Sequence, residues 1–525
     1  NMNAFNQSVT EFILGNRQSD RSGIVNGTGV LTVTGNLDVY GGSINANLAS
    51  TGTNTFEKIS LNTVTLSGDN TGLASTGASI VYEGTLILDY TSSNTTKLRA
   101  ASALDIRGGH LQLNGNASAA TSQSVGSITL ASGIGNSLIT LNPGAGQDLV
   151  LNLGAITRAV NARAGTLRVI LPSGTQSATN GVTTTTGLTN GLVGTAGYLT
   201  VEDGTGTWFA TKSGNNIVAL ASTAKNDIST WAAGDHITDE TTGFTGTFAS
   251  VSINSLRFDA AGGSDINLGG TGVLGIATGG LLVTDNVGGT PSLIGGTIFS
   301  GALASNVPEL ILTHDGSTNF ILGSDLRTNT AFVKSGAGTA VLSGNNVSTG
   351  DVSVQNGILQ LSGGNAIGDT ARVTLANHRN TVLELLASET IGRLEGGQRQ
   401  TNGDWGVVDV GGHTLTTNQT AASTYSGRFA GTGTVIKTGA SNFTWSGHDA
   451  ANGFTGTFSV AQGLVILNGA GSQLNGASDI VLSGSGSSLR FDNDQTTAVG
   501  SRITDIATIT LSSTAGTTAD SLGFY

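Results

Sequence analysis

Residues 334–361 read KSGAGTAVLSGNNVSTGDVSVQNGILQL, and residues 437–467 read KTGASNFTWSGHDAANGFTGTFSVAQGLVIL. Lys334, Gly336, Ser343 and Gly344 recur as Lys437, Gly439, Ser446 and Gly447 at an offset of 103 (437 − 334). Gly357, Leu359 and Leu361 recur as Gly463, Val465 and Leu467 at an offset of 106 (463 − 357), so three residues were inserted between preserved flanks. Exposed loops tolerate such insertions and packed strands do not. A weaker third echo is Ser67-Gly68 followed by Gly84-Thr85-Leu86-Ile87-Leu88, with the same 17-residue spacing as Ser446 to Gly463 (84 − 67 and 463 − 446). A repeat of this kind defines an architecture before it defines an activity.

The surrounding strands share its pattern. Leu31 and Val33, Leu37 and Val39, Val64 and Leu66, Leu111 and Leu113, and Val352 and Val354 each alternate with a polar residue and end near Gly, Asn or Asp. Short strands with one apolar face are not stable alone and must stack. Paired runs joined by two-residue Asn-Gly turns are scarce, which argues against antiparallel sandwiches and for coils stacked in parallel. The expected fold is therefore all-β: a single elongated parallel β-solenoid with one irregular excursion. At about 20 residues per coil and about 4.8 Å between strands, the chain would make about 25 coils and a rod on the order of 120 Å long.

Composition agrees. Glycine contributes 80 of 525 residues, about twice the usual share, without a collagen triplet. Charged residues make up 11% and aromatics 5%, so polarity comes from Thr, Ser and Asn, which suit strands and turns and form poor helices. A net charge of −12 with scattered Lys and Arg opposes nucleic-acid binding, which needs clustered cations. The chain has no cysteine, so its stability must come from backbone ladders and a stacked core. It also shows no apolar run of membrane length, so no membrane insertion by this segment is expected. The polar start Asn1-Met2-Asn3 and the end Ser521-Leu522-Gly523-Phe524-Tyr525 suggest a mature piece of a larger exported protein.

Three segments follow from this reading: a solenoid over 1–172, an excursion over 173–248, and a second solenoid stretch over 249–525 that holds both repeats. In the excursion alternation weakens and turn residues dominate, as in Gly181-Val182-Thr183-Thr184-Thr185-Thr186-Gly187. A cap or packing insertion is the expectation there.

The runs from Lys334 and Lys437 resemble the autotransporter-associated β-strand repeat, also called the passenger-associated transport repeat. Its form is Lys-x-Gly-x-Gly-Thr-x-x-Leu-Ser-Gly-x-Asn, then alternating apolar residues and a Gly-x-Leu-x-Leu close. Lys334, Gly336, Gly338, Thr339, Leu342, Ser343, Gly344 and Asn346 match it. The second copy departs, with Ser441 and Asn442 in place of Gly-Thr and Trp445 in place of the Leu. The segments 391–397 and 411–415, and 89–90 with 149–156, are similar to inter-repeat and N-terminal parts of large bacterial surface proteins. The resemblance implies a secreted, right-handed parallel β-helix, extracellular or on the bacterial cell surface, acting as a rod, spacer or adhesin. Its partners would be further β-helix segments, a second copy end to end, or cell-surface carbohydrate or matrix. It carries no catalytic residues and implies no enzyme.

Other motifs are weaker. Gly270-Thr271-Gly272-Val273-Leu274-Gly275 fits a dinucleotide fingerprint, but no helix start follows it. Gly262-Gly263-Ser264-Asp265 resembles one calcium-binding nonapeptide, which needs tandem copies. Asp235, Asp239 and Glu240, beside His236, are candidate Ca²⁺ or metal ligands on a polar loop, with solvation the plainer role; no other cofactor is expected. Asp492 and Asp494 are similar. The alternative to a structural role is a polysaccharide lyase, hydrolase or binding fibre built on Asp404, Asp409, His413 and Arg399 beside Trp405.

Overall fold

In the computed structural model the described residues are 2–16, 22–73, 77–131, 135–158, 164–239, 243–301, 309–346, 350–377, 380–397, 406–447, 453–468, 473–484, 486–492, 502–503, 507–512 and 521–524. They are all-β apart from one 3₁₀ turn, Ile228–Thr230, and form a parallel β-solenoid of about 18 turns. Coils are longer than expected from the repeats alone. Lys334 pairs with Val354, a coil of 20 residues (354 − 334), whereas Thr121 pairs with Leu149, a coil of 28 (149 − 121). Corner loops absorb the difference, which replaces the expected count of about 25 coils with fewer, larger ones.

The described residues divide into two compact units, one built within residues 1–221 and the other within 222–525. In the first unit the described strands stack into sheets of three, seven and thirteen strands, parallel except for a meander within the largest. Alternation produces the core directly. Ile44, Leu66, Leu88, Leu113 and Leu141 lie in register on five successive coils, each at most 3% exposed. Each such side chain contributes about 1.5–3 kcal/mol of burial, which makes the stack stable although no single strand is.

Within 173–248, regular hairpins replace the weak alternation. Leu199–Asp203 adds in parallel to Thr166–Ile170, then runs antiparallel to Gly206–Ser213, which pairs with Asn216–Ala219. Asn216 returns to Thr183 of Gly181–Thr183, itself parallel to Leu149–Asn152. This meander therefore joins the last strands of two parallel ladders and leaves neither edge unpaired there, a recognised protection against edge-to-edge association.

The second unit stacks three parallel ladders. The first contains Glu309–His314, Ala331–Ser335, Val352–Val354, Arg372–Leu375, Arg393–Gly396, Ser423–Tyr425, Phe443–Trp445 and Leu464–Asn468. The second contains Asn319–Leu326, Thr339–Leu342, Gly357–Leu361, Thr381–Leu385, Val407–Asp409 and Arg428–Gly431. The third begins only at Glu389–Ile391 and continues through Thr414–Thr417, Thr434–Lys437, Thr457–Val460, Asp479–Leu482 and Thr508–Leu511. The two sequence repeats therefore occupy different faces. Lys334 stands on the first ladder and Lys437 on the third, one face apart. The three inserted residues lie in the coil from Lys437 to Val460, which is 23 residues long (460 − 437).

Candidate functional site

The conserved lysine of the repeat is buried. Lys334 is 0% exposed, and its Nζ donates to the carbonyls of Ser335 (2.8 Å), Gly336 (2.7 Å) and Asn356 (3.2 Å). Lys437 donates to Gly439 O and to Gln462 O (2.6 Å). Each lysine thus bonds the carbonyl two residues on and a carbonyl one coil later, immediately before a glycine. That glycine sits at positive φ, +74° at Gly357 and +71° at Gly463. A Cβ at Gly357 would come within 2.5 Å of Gly336 O and Gly338 O, so both backbone freedom and space require glycine. Burial pushes Lys334 down to about 7 and Lys437 to about 8. Against that, three carbonyls favour the ammonium, since a neutral amine has only two N–H donors to offer.

The same clasp occurs at Lys58. Its Nζ donates to Ser60 O and to Glu83 O (2.9 Å), and Gly84 follows at φ +61°. Lys58 precedes Ser67 by nine residues, as Lys334 precedes Ser343 and Lys437 precedes Ser446. The third echo therefore carries the same clasp, with Ser60 in place of the first glycine. Burial lowers Lys58 to about 7, with Glu83 opposing. Lys97 then clasps the Ser67 (3.0 Å), Gly68 (2.8 Å) and Ser93 (2.9 Å) carbonyls from the next coil. The Ser-Gly glycine packs against the preceding coil: a Cβ at Gly344 would come 2.4 Å from Ser324 O, and one at Gly68 2.0 Å from Ala46 O.

The repeat's asparagine links coils at a second corner. Asn346 accepts from Leu326 N (2.6 Å) and donates to Ala366 O (2.7 Å). Asn70 accepts from Leu48 N (3.1 Å) and donates to Lys97 O (3.1 Å). One side chain therefore satisfies backbone groups on the coils before and after its own, which ties three coils together without a strand. Leu359 and Leu361 are fully buried. Trp445, at the position of Leu342, is also buried; its Nε1 donates to Gly427 O (2.9 Å), and its ring packs on Phe429 and Phe458.

The other candidates are scattered. Asp235 forms an ion pair with Lys225 and accepts from Ala232 N (2.7 Å). Asp239 is buried and accepts from Asp259 N, Ala260 N (3.0 Å) and Ser264 Oγ. Ser264 belongs to the 262–265 run, so the structure joins two features that the sequence presents separately. Burial raises the Asp239 carboxyl, and these three hydrogen bonds oppose it. Asp265 accepts from Ser292 Oγ (2.6 Å). Glu240 lies outside the described residues. Among the described residues, no three His, Asp or Glu side chains form a metal-ligand group. Asp409 accepts from Gly411 N (2.8 Å) and Asp492 pairs with Arg490 (3.3 Å), while Arg399, Asp404, Trp405 and Asp494 lie outside the described residues. The 270–275 run enters the strand Val273–Val283, not a helix.

The family model described as Passenger-associated-transport-repeat matches residues 332–361. The chain carries a passenger-associated transport repeat. Over 301 residues, 55% of the chain, it is 29% identical to the Adhesin BmaC autotransporter of Brucella suis biovar 1 (strain 1330). The chain spans only 8% of that relative's length. No solved structure matches. The transport repeat, the relative and the parallel β-solenoid together describe an autotransporter passenger-type β-helix, and no helix among the described residues is long and apolar enough to cross a membrane.

Proposed function

We propose that the chain is a non-enzymatic, surface-displayed segment of an adhesin passenger, a spacer that holds binding surfaces away from the cell and adheres to matrix or cell-surface carbohydrate. The observation that carries this reading is the use made of the repeat. Its lysine, asparagine and glycines all satisfy or make room for backbone groups of neighbouring coils, so the recurring chemistry is scaffolding. The relative's description as an adhesin supports the adhesive part. Further pairing, with more β-helix or a second copy, is read from Thr508–Leu511. Its Ile509 and Leu511 continue rows buried at Ile480 and Leu482 yet are 40% and 55% exposed.

The test is to display the chain on a non-adherent bacterium and measure retention on matrix-coated and glycan-coated surfaces, with released sugars assayed in parallel. Retention above the undisplayed control with no new reducing ends or unsaturated products supports the proposal. Retention equal to the control, or product formation, refutes it.

A further inference from the structure

The asparagine linkage continues one coil further, and there the two units differ by one atom. In the first unit, Asn70 donates to Lys97 O, and the amides of Lys97 and Leu98 donate to Gln123 Oε1 (3.0 and 3.2 Å). Gln123 completes the pattern with its Nε2, which donates to Leu98 O (3.2 Å). In the second unit, Asn346 donates to Ala366 O, and Ala366 N donates to Glu389 Oε2 (2.9 Å). The Ile367 amide also bonds this carboxyl. Ala366 and Ile367 thus correspond to Lys97 and Leu98, and Glu389 corresponds to Gln123. The asparagine amides confirm the alignment, since Asn70 N donates to Thr96 O and Asn346 N to Asn365 O.

Where Gln123 has an NH₂ to give the Leu98 carbonyl, Glu389 has an oxygen. Glu389 is 3% exposed, and its Oε1 is buried with no hydrogen-bond partner. Placed as Gln123 Nε2 is placed on Leu98 O, Oε1 would meet the Ile367 carbonyl with no donor between the two oxygens, and a proton on Oε1 supplies one.

We propose that Glu389 is held as a neutral carboxylic acid whose Oε1–H donates to the Ile367 carbonyl, making this corner a proton-operated latch across four successive coils. Burial raises the Glu389 carboxyl from 4.5 to about 7, against the Ala366, Thr390 and Ile367 amides, whose hydrogen bonds lower it, and with a smaller rise from Asp369. The turn 363–368, the stacked strand Thr414–Thr417 and the Asn345-Asn346 corner bring no other titratable or charged group to it. With the folded value above the unfolded one, the stabilisation is complete below about pH 4.5 and is lost as pH rises through about 7.

The experiment compares the wild-type chain with Glu389→Gln, which installs the first unit's amide. Amide exchange at Ala366 and Ile367, corrected for intrinsic rates, is followed from pH 4.5 to 7.5. The wild type should lose up to about 300-fold of protection as pH rises, while Glu389→Gln should be flat and better protected above pH 7. An infrared difference spectrum between the two at pH 6 should show the carbonyl stretch of a protonated carboxylic acid. Identical pH profiles, or a spectrum showing only carboxylate at pH 6, overturn the proposal.

Discussion

Lys334→Met replaces a buried ammonium with an apolar side chain of similar length and leaves three carbonyls without their donor. Each orphaned buried acceptor costs about 1–3 kcal/mol, so the three together are worth about 3–9 kcal/mol before the cost of burying the charge is counted. At neutral pH that cost is present. A fall from 10.5 to about 7 in a fully buried group means that at pH 7 folding either buries a charge or gives up a proton, at about 4 kcal/mol. At pH 7 the second contribution offsets much of the first, so the substitution should cost less there than at higher pH. Between pH 7 and 10 the folded state binds fewer protons than the unfolded state, so wild-type stability rises with pH. The Met variant lacks that gain from residue 334, and its deficit should grow by about 3–4 kcal/mol over this interval. Urea unfolding at pH 7, 8, 9 and 10, followed by circular dichroism, measures the difference, in which the contributions of Lys437 and the tyrosines cancel. A deficit that stays constant with pH, or a variant more stable than wild type at pH 10, would refute the clasp.

Three further outcomes are expected. Asn346→Leu keeps the volume and orphans Leu326 N and Ala366 O, so it should cost about 2–6 kcal/mol and raise exchange first at residues 326 and 366. Gly357→Ala places a methyl in a left-handed, closed corner and should cost more than about 1 kcal/mol, read as a lower urea midpoint, whereas Gly262→Ala, with open space around it, should be near neutral. Leu359→Ala, in a row with Phe320, Ala340, Leu383, Val408 and Phe429, should cost about 2–5 kcal/mol. In a solenoid that loss should remain local, visible as exchange near 340–383 and not at the distant coils of the same unit.

The parallel coils were legible in the sequence because side-chain alternation and coil stacking are both local in their consequences. A residue such as Leu113 is buried whatever coil lies above it. Lys58 was legible in principle, nine residues before Ser67, but Ser60 stands where the other copies have glycine, so the eye is not led to it. Gln123 and Glu389 were not legible at all. They meet their asparagines only through an intervening coil, and coil lengths as different as 17 residues (Val30 to Asn47) and 33 (Ser488 to Ser521) break any fixed spacing that would align them. The hairpins between 199 and 219 were obscured for a different reason: antiparallel pairing through Gly204-Thr205 and Gly214-Asn215 looks, in composition, like more turn.

The displacement of the two repeats by one face has a consequence for how such a chain can grow. Lys334 and Lys437 form the same clasp on different ladders because every requirement of the motif is met by the coils directly above and below it. Nothing in it refers to a particular side of the triangle. A block carrying the motif can therefore be duplicated into the chain at another rotational phase and still find carbonyls for its lysine. The second unit has a corner code without an absolute compass, and length can be added to it without first solving how the new coil must be turned.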